Sequence, residues 1–367
     1  MMPAAACILH AGHESDTSRD TDGRHFPPTA APSPATPVDR FLGLFWGYQR
    51  TQLLYVAARL GIADLLADGP KPVDDLASAT GTHAPSLARF LRALAGLGVF
   101  AAREDGQYEL TDLAQPLRSG VPGSQRALVL AHGEDLYPVW GALLYSVQTG
   151  APAFDHVYGM PNWEYRRLHP EVNARFNAYM SDLSSSRAAV VARRYPFRDT
   201  GVVVDVGGGD GTLLTAILTR HPGLRGVLFD QPHVVAEAGT RLAAGGVVDR
   251  VEVVGGDFFA GVPAGGDYYI LSAVLHDWGD ERTAAILAQC RRAMGPEAKL
   301  LLVEQVLPPG NVPSTTKLYD ILMLVTNAGG RERTEEEWRA LLRAGGFDLT
   351  DRLPATPIYE VITAVPR

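Results

Sequence analysis

The sequence predicts an α/β protein: a doubly wound, Rossmann-like sheet in the second half, behind an N-terminal α-helical domain of winged-helix pattern. Three observations predict it. Gly201-Val-Val-Val-Asp205-Val-Gly207-Gly-Gly209-Asp-Gly211-Thr212 reads as a buried strand, a glycine turn and the start of a helix over 213–218. That combination is the nucleotide-binding corner of a doubly wound sheet. Strands and helices then alternate, with strands expected at 226–230, 251–254, 268–271 and 300–304. Residues 61–118, in contrast, read as helix, helix, helix and a β-wing.

Composition narrows the class. The 367 residues suffice for one large domain and a smaller one, and an apolar fraction of 46% can fill a core. A net charge of −8 argues against nucleic acid as the main partner. The two cysteines, Cys7 and Cys290, make no disulfide framework and no metal cluster, so no metal is expected; Cys290 falls in a helical pattern as a core thiol. No run is long and apolar enough to span a membrane, and residues 2–9 are too short, and lack the basic start, for a signal peptide. No membrane partner is expected, and the expected location is the cytoplasm.

Four segments follow in order. Residues 1–36 are rich in Ala, Pro, Thr, Ser, Asp and His without periodicity and read as a disordered tail, with His10, His13 and His25 too loosely spaced for a metal tract. Residues 37–120 form a winged-helix-like dimerisation domain. Its first helix, 38–60, carries Phe41, Leu44, Phe45, Tyr48, Leu53, Leu54 and Val56 on more than one face, which favours an intertwined dimer. Helices follow at 72–79, ended by Gly81, and at 85–94, with Leu87, Phe90, Leu91 and Leu94 on one stripe. Strands at 99–102 and 107–110 flank an Asp105-Gly106 turn. A winged helix can bind DNA, but here the recognition helix offers only Arg89 and Arg92. Residues 121–196 form a helical linker with aromatic clusters at 137–140, 163–165 and 176–180, suited to a wall against a flat apolar substrate. Residues 197–367 form the nucleotide-binding domain.

The corner selects its ligand by charge. A dinucleotide turn wants a glycine where Thr212 stands, and a pyrophosphate would be repelled by Asp205. Asp205 and Asp210 suit a ligand with a cationic end, as S-adenosylmethionine has. Asp230 ends a strand about 20 residues after the glycines, where a carboxylate holds a ribose diol. Asp257 and Phe258 could take an adenine amino group and stack on its face. His276 lies just past a strand end, where it could accept a phenolic proton. Glu304 and Glu332 could each fix its tautomer and support its positive charge.

The motifs Asp205-Val-Gly-Gly-Gly-Asp-Gly, Asp230, Gly256-Asp257-Phe258, Leu275-His276-Asp277-Trp278 and Asn327-Ala-Gly-Gly-Arg-Glu332-Arg-Thr together resemble the small-molecule O-methyltransferases, plant caffeate and isoflavone enzymes and bacterial polyketide-tailoring enzymes among them. The resemblance covers roughly residues 38–365. It implies S-adenosyl-L-methionine held by Asp205, Gly207, Gly209, Asp230, Asp257, Phe258 and Ser272, with His276 as base between Glu304 and Glu332. Phe176, Met180, Met323 and Asn327 match substrate-pocket positions. One departure is Ser272, where the plant enzymes carry a lysine near the adenine. The implied protein is a homodimer that transfers methyl by direct displacement to a small aromatic hydroxyl, without metal or covalent intermediate. A relative that has turned to hydroxylation or decarboxylation, or a winged-helix regulator sensing a small molecule, are the alternatives.

Overall fold

The computed structural model describes residues 36–367, apart from Glu237 and the side chain of Ser186. The tail expected over 1–36, with Cys7, His10, His13 and His25, lies outside the described residues except for Thr36. The chain divides into two units, 1–48 and 49–367.

In the first unit, helix Pro37–Phe45 starts from a capping box in which Thr36 and Asp39 satisfy each other's free donors. None of its residues is buried: Phe41 is 64% and Leu44 83% exposed. The single helix expected over 38–60 is in fact two. Trp46 closes the first, and a second runs over Gly47–Leu60. The break falls at Trp46, just ahead of Gly47, a poor helix former.

In the second unit, the front domain packs helices Val73–Thr80 and Ala84–Gly96 on a three-stranded sheet, β1 (Lys71–Pro72), β2 (Phe100–Ala102) and β3 (Gln107–Leu110), in the order β1-β3-β2. Gly81 ends the first helix at φ +65°, and the second buries Leu87, Leu91 and Leu94. Strand β1, two residues long, had no signature in the sequence. The helical stretch that follows culminates in helix Pro170–Arg194.

The large sheet has seven strands: β4 (Gly201–Val206), β5 (Leu224–Asp230), β6 (Val251–Gly255), β7 (Tyr268–Ser272), β8 (Lys299–Glu304), β11 (Phe347–Pro354) and β12 (Glu360–Pro366). Their order is β11-β12-β8-β7-β4-β5-β6. β4 to β8 run parallel, and β12 is antiparallel to both its neighbours. Helices cover both faces, which is why Val203, Val204 and Val206 of β4 and Leu300 to Val303 of β8 are all buried. Short strands β9 (Val306–Leu307) and β10 (Arg333–Thr334) pair in parallel beyond the C-terminal end of β8.

Strand order reverses between β4 and β7. The crevice at such a reversal, outside the carboxyl ends of the strands, is where open α/β sheets bind ligands. The glycine turn leaves β4 there, and the segment carrying His276 leaves β7 beside it.

Candidate active site

The glycine turn is shaped by what stands against it. Gly207, Gly209 and Gly211 have φ of +72°, +60° and +80°, conformations costly for other residues. A side chain on Gly208 would sit 2.5 Å from Leu228 and 2.8 Å from the Asp205 carboxyl carbon. The turn is tied to β5 because the Gly209 N–H donates to Asp230 Oδ2 at 2.9 Å, and the Gln231 N–H to Asp230 Oδ1 at 2.6 Å. Asp205 is buried, and its Oδ2 has no hydrogen-bond partner. Burial and the nearby Asp230 push its pKa up to about 7. Such an acid asks for a cationic or hydrogen-bond-donating group to complete it.

Asp210, expected to serve the same ligand, does not face it alone. Arg241 Nη2 pairs with Asp210 Oδ2 at 2.9 Å, and the Thr212 hydroxyl donates to Oδ1 at 2.6 Å. Its charge is spent on fixing the helix start. Asp257 is exposed and accepts from the Phe259 N–H at 2.9 Å, while Phe258 packs edge-on against Phe259 and Trp278. Ser272 ends β7 with its hydroxyl buried and unpartnered, just before Ala273, whose φ of +54° is unusual for a non-glycine residue.

His276 sits on a 3₁₀ turn, Leu275–Asp277. Its Nδ1 is 3.0 Å from Glu332 Oε1 and 3.6 Å from Glu304 Oε2, and both glutamates are fully buried. The two acids divide the work. Glu332 makes the hydrogen bond to the ring. Glu304 Oε1 accepts the N–H groups of Val274 and Leu275, at 3.1 and 2.9 Å, and so holds the turn itself. Burial alone would lower the histidine's pKa, but Glu332, Glu304 and Asp277 outweigh it and raise it to about 10. Burial pushes Glu304 up to about 7.

Arg333, which sequence reasoning missed, locks the two halves together. Fully buried, it donates to the carbonyls of Leu275 (3.1 Å) and Trp278 (2.7 Å), pairs with Asp280 at 2.8 Å, and lies over the Trp338 ring. The Arg331 N–H adds a bond to the His276 carbonyl at 2.8 Å, and the Glu332 N–H one to Asp320 at 2.9 Å.

His276 opens onto a cleft of about 790 Å³, its solvent-filled mouth included, walled by Phe176, Met180, Met323 and Asn327. The structure thus brings all four expected pocket residues together with the histidine. Arg166, also missed, lines the same cleft. Asn327 is engaged at both ends of its amide: Nδ2 donates to Asp277 Oδ1 at 2.7 Å and Oδ1 accepts from Asn162 at 3.2 Å. The ligand atoms of His276, Glu304 and Glu332 lie within 4.8 Å of one another, a spacing compatible with a metal ion as well as with an ion-pair cluster.

The sheet, its glycine corner and the histidine cleft define an S-adenosylmethionine-dependent methyltransferase. Comparison with known proteins places it further: residues 140–348 match the O-methyltransferase domain, and residues 42–119 the O-methyltransferase dimerisation domain. The chain belongs to this O-methyltransferase family. It is 48% identical over 325 residues to the phenazine O-methyltransferase PhzM of Lysobacter antibioticus, covering 89% of this chain and 95% of that one. It is 40% identical to the 3-amino-4-hydroxybenzoate 4-O-methyltransferase of Streptomyces cremeus, covering 90% and 91%. The crystal structure of the O-methyltransferase NcsB1 from neocarzinostatin biosynthesis, solved with S-adenosylmethionine and 2-hydroxy-5-methyl naphthoic acid, superposes with a TM-score of 0.76 at 34% identity, covering 87% and 96%. The chain is therefore an S-adenosylmethionine-dependent O-methyltransferase, and its relatives serve secondary metabolism.

Two expectations follow from the geometry. Arg333→Ala strands two buried carbonyls and should cost about 2–4 kcal/mol in urea unfolding; a loss within experimental error would mean the arginine is not the clamp described. The second concerns pH. The folded protein holds the His276 proton to about 10 against an ordinary 6.5, so the stabilisation is complete below pH 6.5 and is lost as pH rises toward 10. Glu304, raised from 4.5 to about 7, drives stability the same way at lower pH. Unfolding free energy should fall from pH 7 to pH 10, and His276→Gln should flatten that fall. An unchanged slope in the variant would uncouple the ring from its glutamates.

Proposed function

We propose that this enzyme methylates a phenolic hydroxyl of an aromatic secondary metabolite, and that His276 removes the hydroxyl proton through Nε2. The observation that carries the reading is the orientation of the ring: Nδ1 is committed to Glu332, and the imidazole lines the cleft. A base so held presents one nitrogen to an acceptor, with its tautomer fixed by the carboxylate behind it.

The cofactor site fits its ligand. The unpartnered Asp205 oxygen and Ser272 hydroxyl, and a turn that tolerates no side chain at Gly208, form a cradle with hydrogen-bonding capacity left over. Asp205, Gly207 and Gly209 would hold the amino-acid end, Asp230 the ribose, and Asp257, Phe258 and Ser272 the adenine. When bound, S-adenosylmethionine supplies a methyl group already activated by its sulfonium. The chain's task is then to align acceptor and proton acceptor. Phe176, Met180 and Met323 sandwich the ring. Asn327 acts one step away, by orienting Asp277 beside the imidazole. Glu304 keeps the turn rigid while the proton moves onto Nε2.

The same reading makes the protein a homodimer. The dimerisation-domain match begins on helix Pro37–Phe45, and that helix presents Val38, Phe41, Leu44 and Phe45 unburied. Phe41→Ser with Leu44→Ser should shift the sedimenting species to a monomer; a double variant that sediments like the parent would place the interface elsewhere.

Incubation with S-adenosylmethionine and a panel of phenols, read by mass spectrometry and fragmentation, tests the reaction. One added CH₂ on oxygen is expected; addition only to nitrogen, or a product with no added CH₂, overturns it. His276→Ala should lose about 10²–10⁴ in turnover while still binding cofactor. With the parent, kcat/KM should rise with pH toward about 10, since only the neutral ring accepts a proton, and the variant should lie far below the parent along that limb.

A further inference from the structure

We infer that Arg166 recognises a carboxylate on the aromatic acceptor, within the cleft that His276 also lines. The inference deepens the proposed function and rests on it for the word acceptor.

Arg166 lies in the last turn of helix Asn162–Leu168 and is 8% exposed, yet it lines the cleft. Its guanidinium carbon is 3.3 Å from the centroid of the Phe176 ring, so the fork lies against an aromatic wall. Nε donates to Asn162 Oδ1 at 2.7 Å. Nη1 is buried and has no hydrogen-bond partner. Burial lowers its pKa to about 10, which still leaves it charged at neutral pH.

A buried, charged donor without an acceptor is costly. The protein does not supply the missing one. Among the described residues, no carboxylate forms an ion pair with Arg166 within 4 Å. The two acids whose charge acts on it have other partners: Asp135 takes Arg175 at 2.9 and 2.5 Å, and Asp277 takes the Asn327 amide at 2.7 Å. What fits a planar fork in a dry cleft is a planar anion, and a carboxylate matches it with two parallel bonds.

The position of the arginine is fixed relative to the base. Arg166 bonds Asn162, Asn162 bonds Asn327, and Asn327 bonds Asp277, whose Oδ1 is 3.8 Å from His276 Nε2. This chain of side chains spaces a cation from a proton acceptor along one wall. A ring bound against Met180, Met323 and Phe176 would then meet the base with its hydroxyl and the arginine with its carboxylate.

Calorimetry on the full-length protein, saturated with S-adenosylhomocysteine, tests this. The probes are one-, two- and three-ring hydroxyaryl carboxylates, each paired with the phenol lacking the carboxylate and with the methyl ester. The carboxylate should bind roughly tenfold to a hundredfold tighter than its partners to the parent protein. Arg166→Met should abolish that preference while changing the neutral phenol's affinity less than about threefold; Arg166→Lys should keep part of it. Equal affinity for acid and ester in the parent, or a preference that survives Arg166→Met, overturns the inference. The parent comparison decides the matter even if the methionine variant does not fold. Methyl transfer without carboxylate preference sinks the arginine's role alone; carboxylate preference without methyl transfer sinks the reaction alone.

Discussion

The contact on which this site depends is the 3.0 Å bond between His276 Nδ1 and Glu332 Oε1. It joins three titratable groups, one imidazole and two carboxylates, in a place that water scarcely reaches. Such a cluster persists only if every member is held, because any group left alone would carry an uncompensated charge. The surrounding chain is arranged to hold them. Glu304 is anchored by two backbone amides, Glu332 by Asp320 through its own N–H, and the His276 turn by Arg333 and the Arg331 amide. β10, which carries Arg333, is in turn paired with β9, the direct continuation of the strand that ends in Glu304. The cluster is thus stitched from three strand ends, and its precision comes from backbone bonds rather than from the side chains alone.

Topology explains why the second ligand site lies alongside. β4 and β7 are hydrogen-bonded neighbours that send their connections to opposite faces of the sheet. The glycine turn and the histidine turn therefore leave the same edge and frame one crevice. Val274 touches both: a side chain on Gly207 would meet it at 2.8 Å. A bulkier turn would push the histidine segment away, so the glycines serve the spacing of the two sites as well as access to a ligand.

Features written locally were legible in the sequence. The glycine turn, the carboxylates ending β5 and β8, and the wing with its Asp105-Gly106 turn all follow from residues a few positions apart. Their partners were not. Asp210 reads as a free acid until folding brings Arg241, 31 residues on, against it. Arg166 follows an aromatic cluster directly in sequence, but only the packing of helix Asn162–Leu168 on helix Pro170–Arg194 sets it on Phe176. Arg333 flanks Glu332 directly, but nothing in the motif distinguishes a buried clamp from a solvated arginine. The helix break at Trp46 is hidden by the apolar residues on both sides of it, which continue the helical pattern. For Asp210, Arg166 and Arg333 the missing information was a contact made only on folding.

The acidity of the cluster also bears on which hydroxyls the enzyme can use. Carboxylates on both sides of the ring, Glu332 and Glu304 behind it and Asp277 at 3.8 Å from Nε2, raise the imidazolium's pKa to about 10. In the proposed reading this brings the basicity of the ring closer to that of a phenolate, a better match for taking a phenolic proton. An aliphatic hydroxyl is a far weaker acid than a phenol, so the same transfer from it would be more steeply uphill. The price of this match is that the resting ring is protonated at neutral pH, and one proton must leave the site before each transfer. A site with a single, exposed histidine would avoid that step but would be a poorer acceptor for a phenolic proton. In the proposed reading, the buried carboxylates make the ring a stronger proton acceptor, and the aromatic and methionine walls favour flat apolar rings.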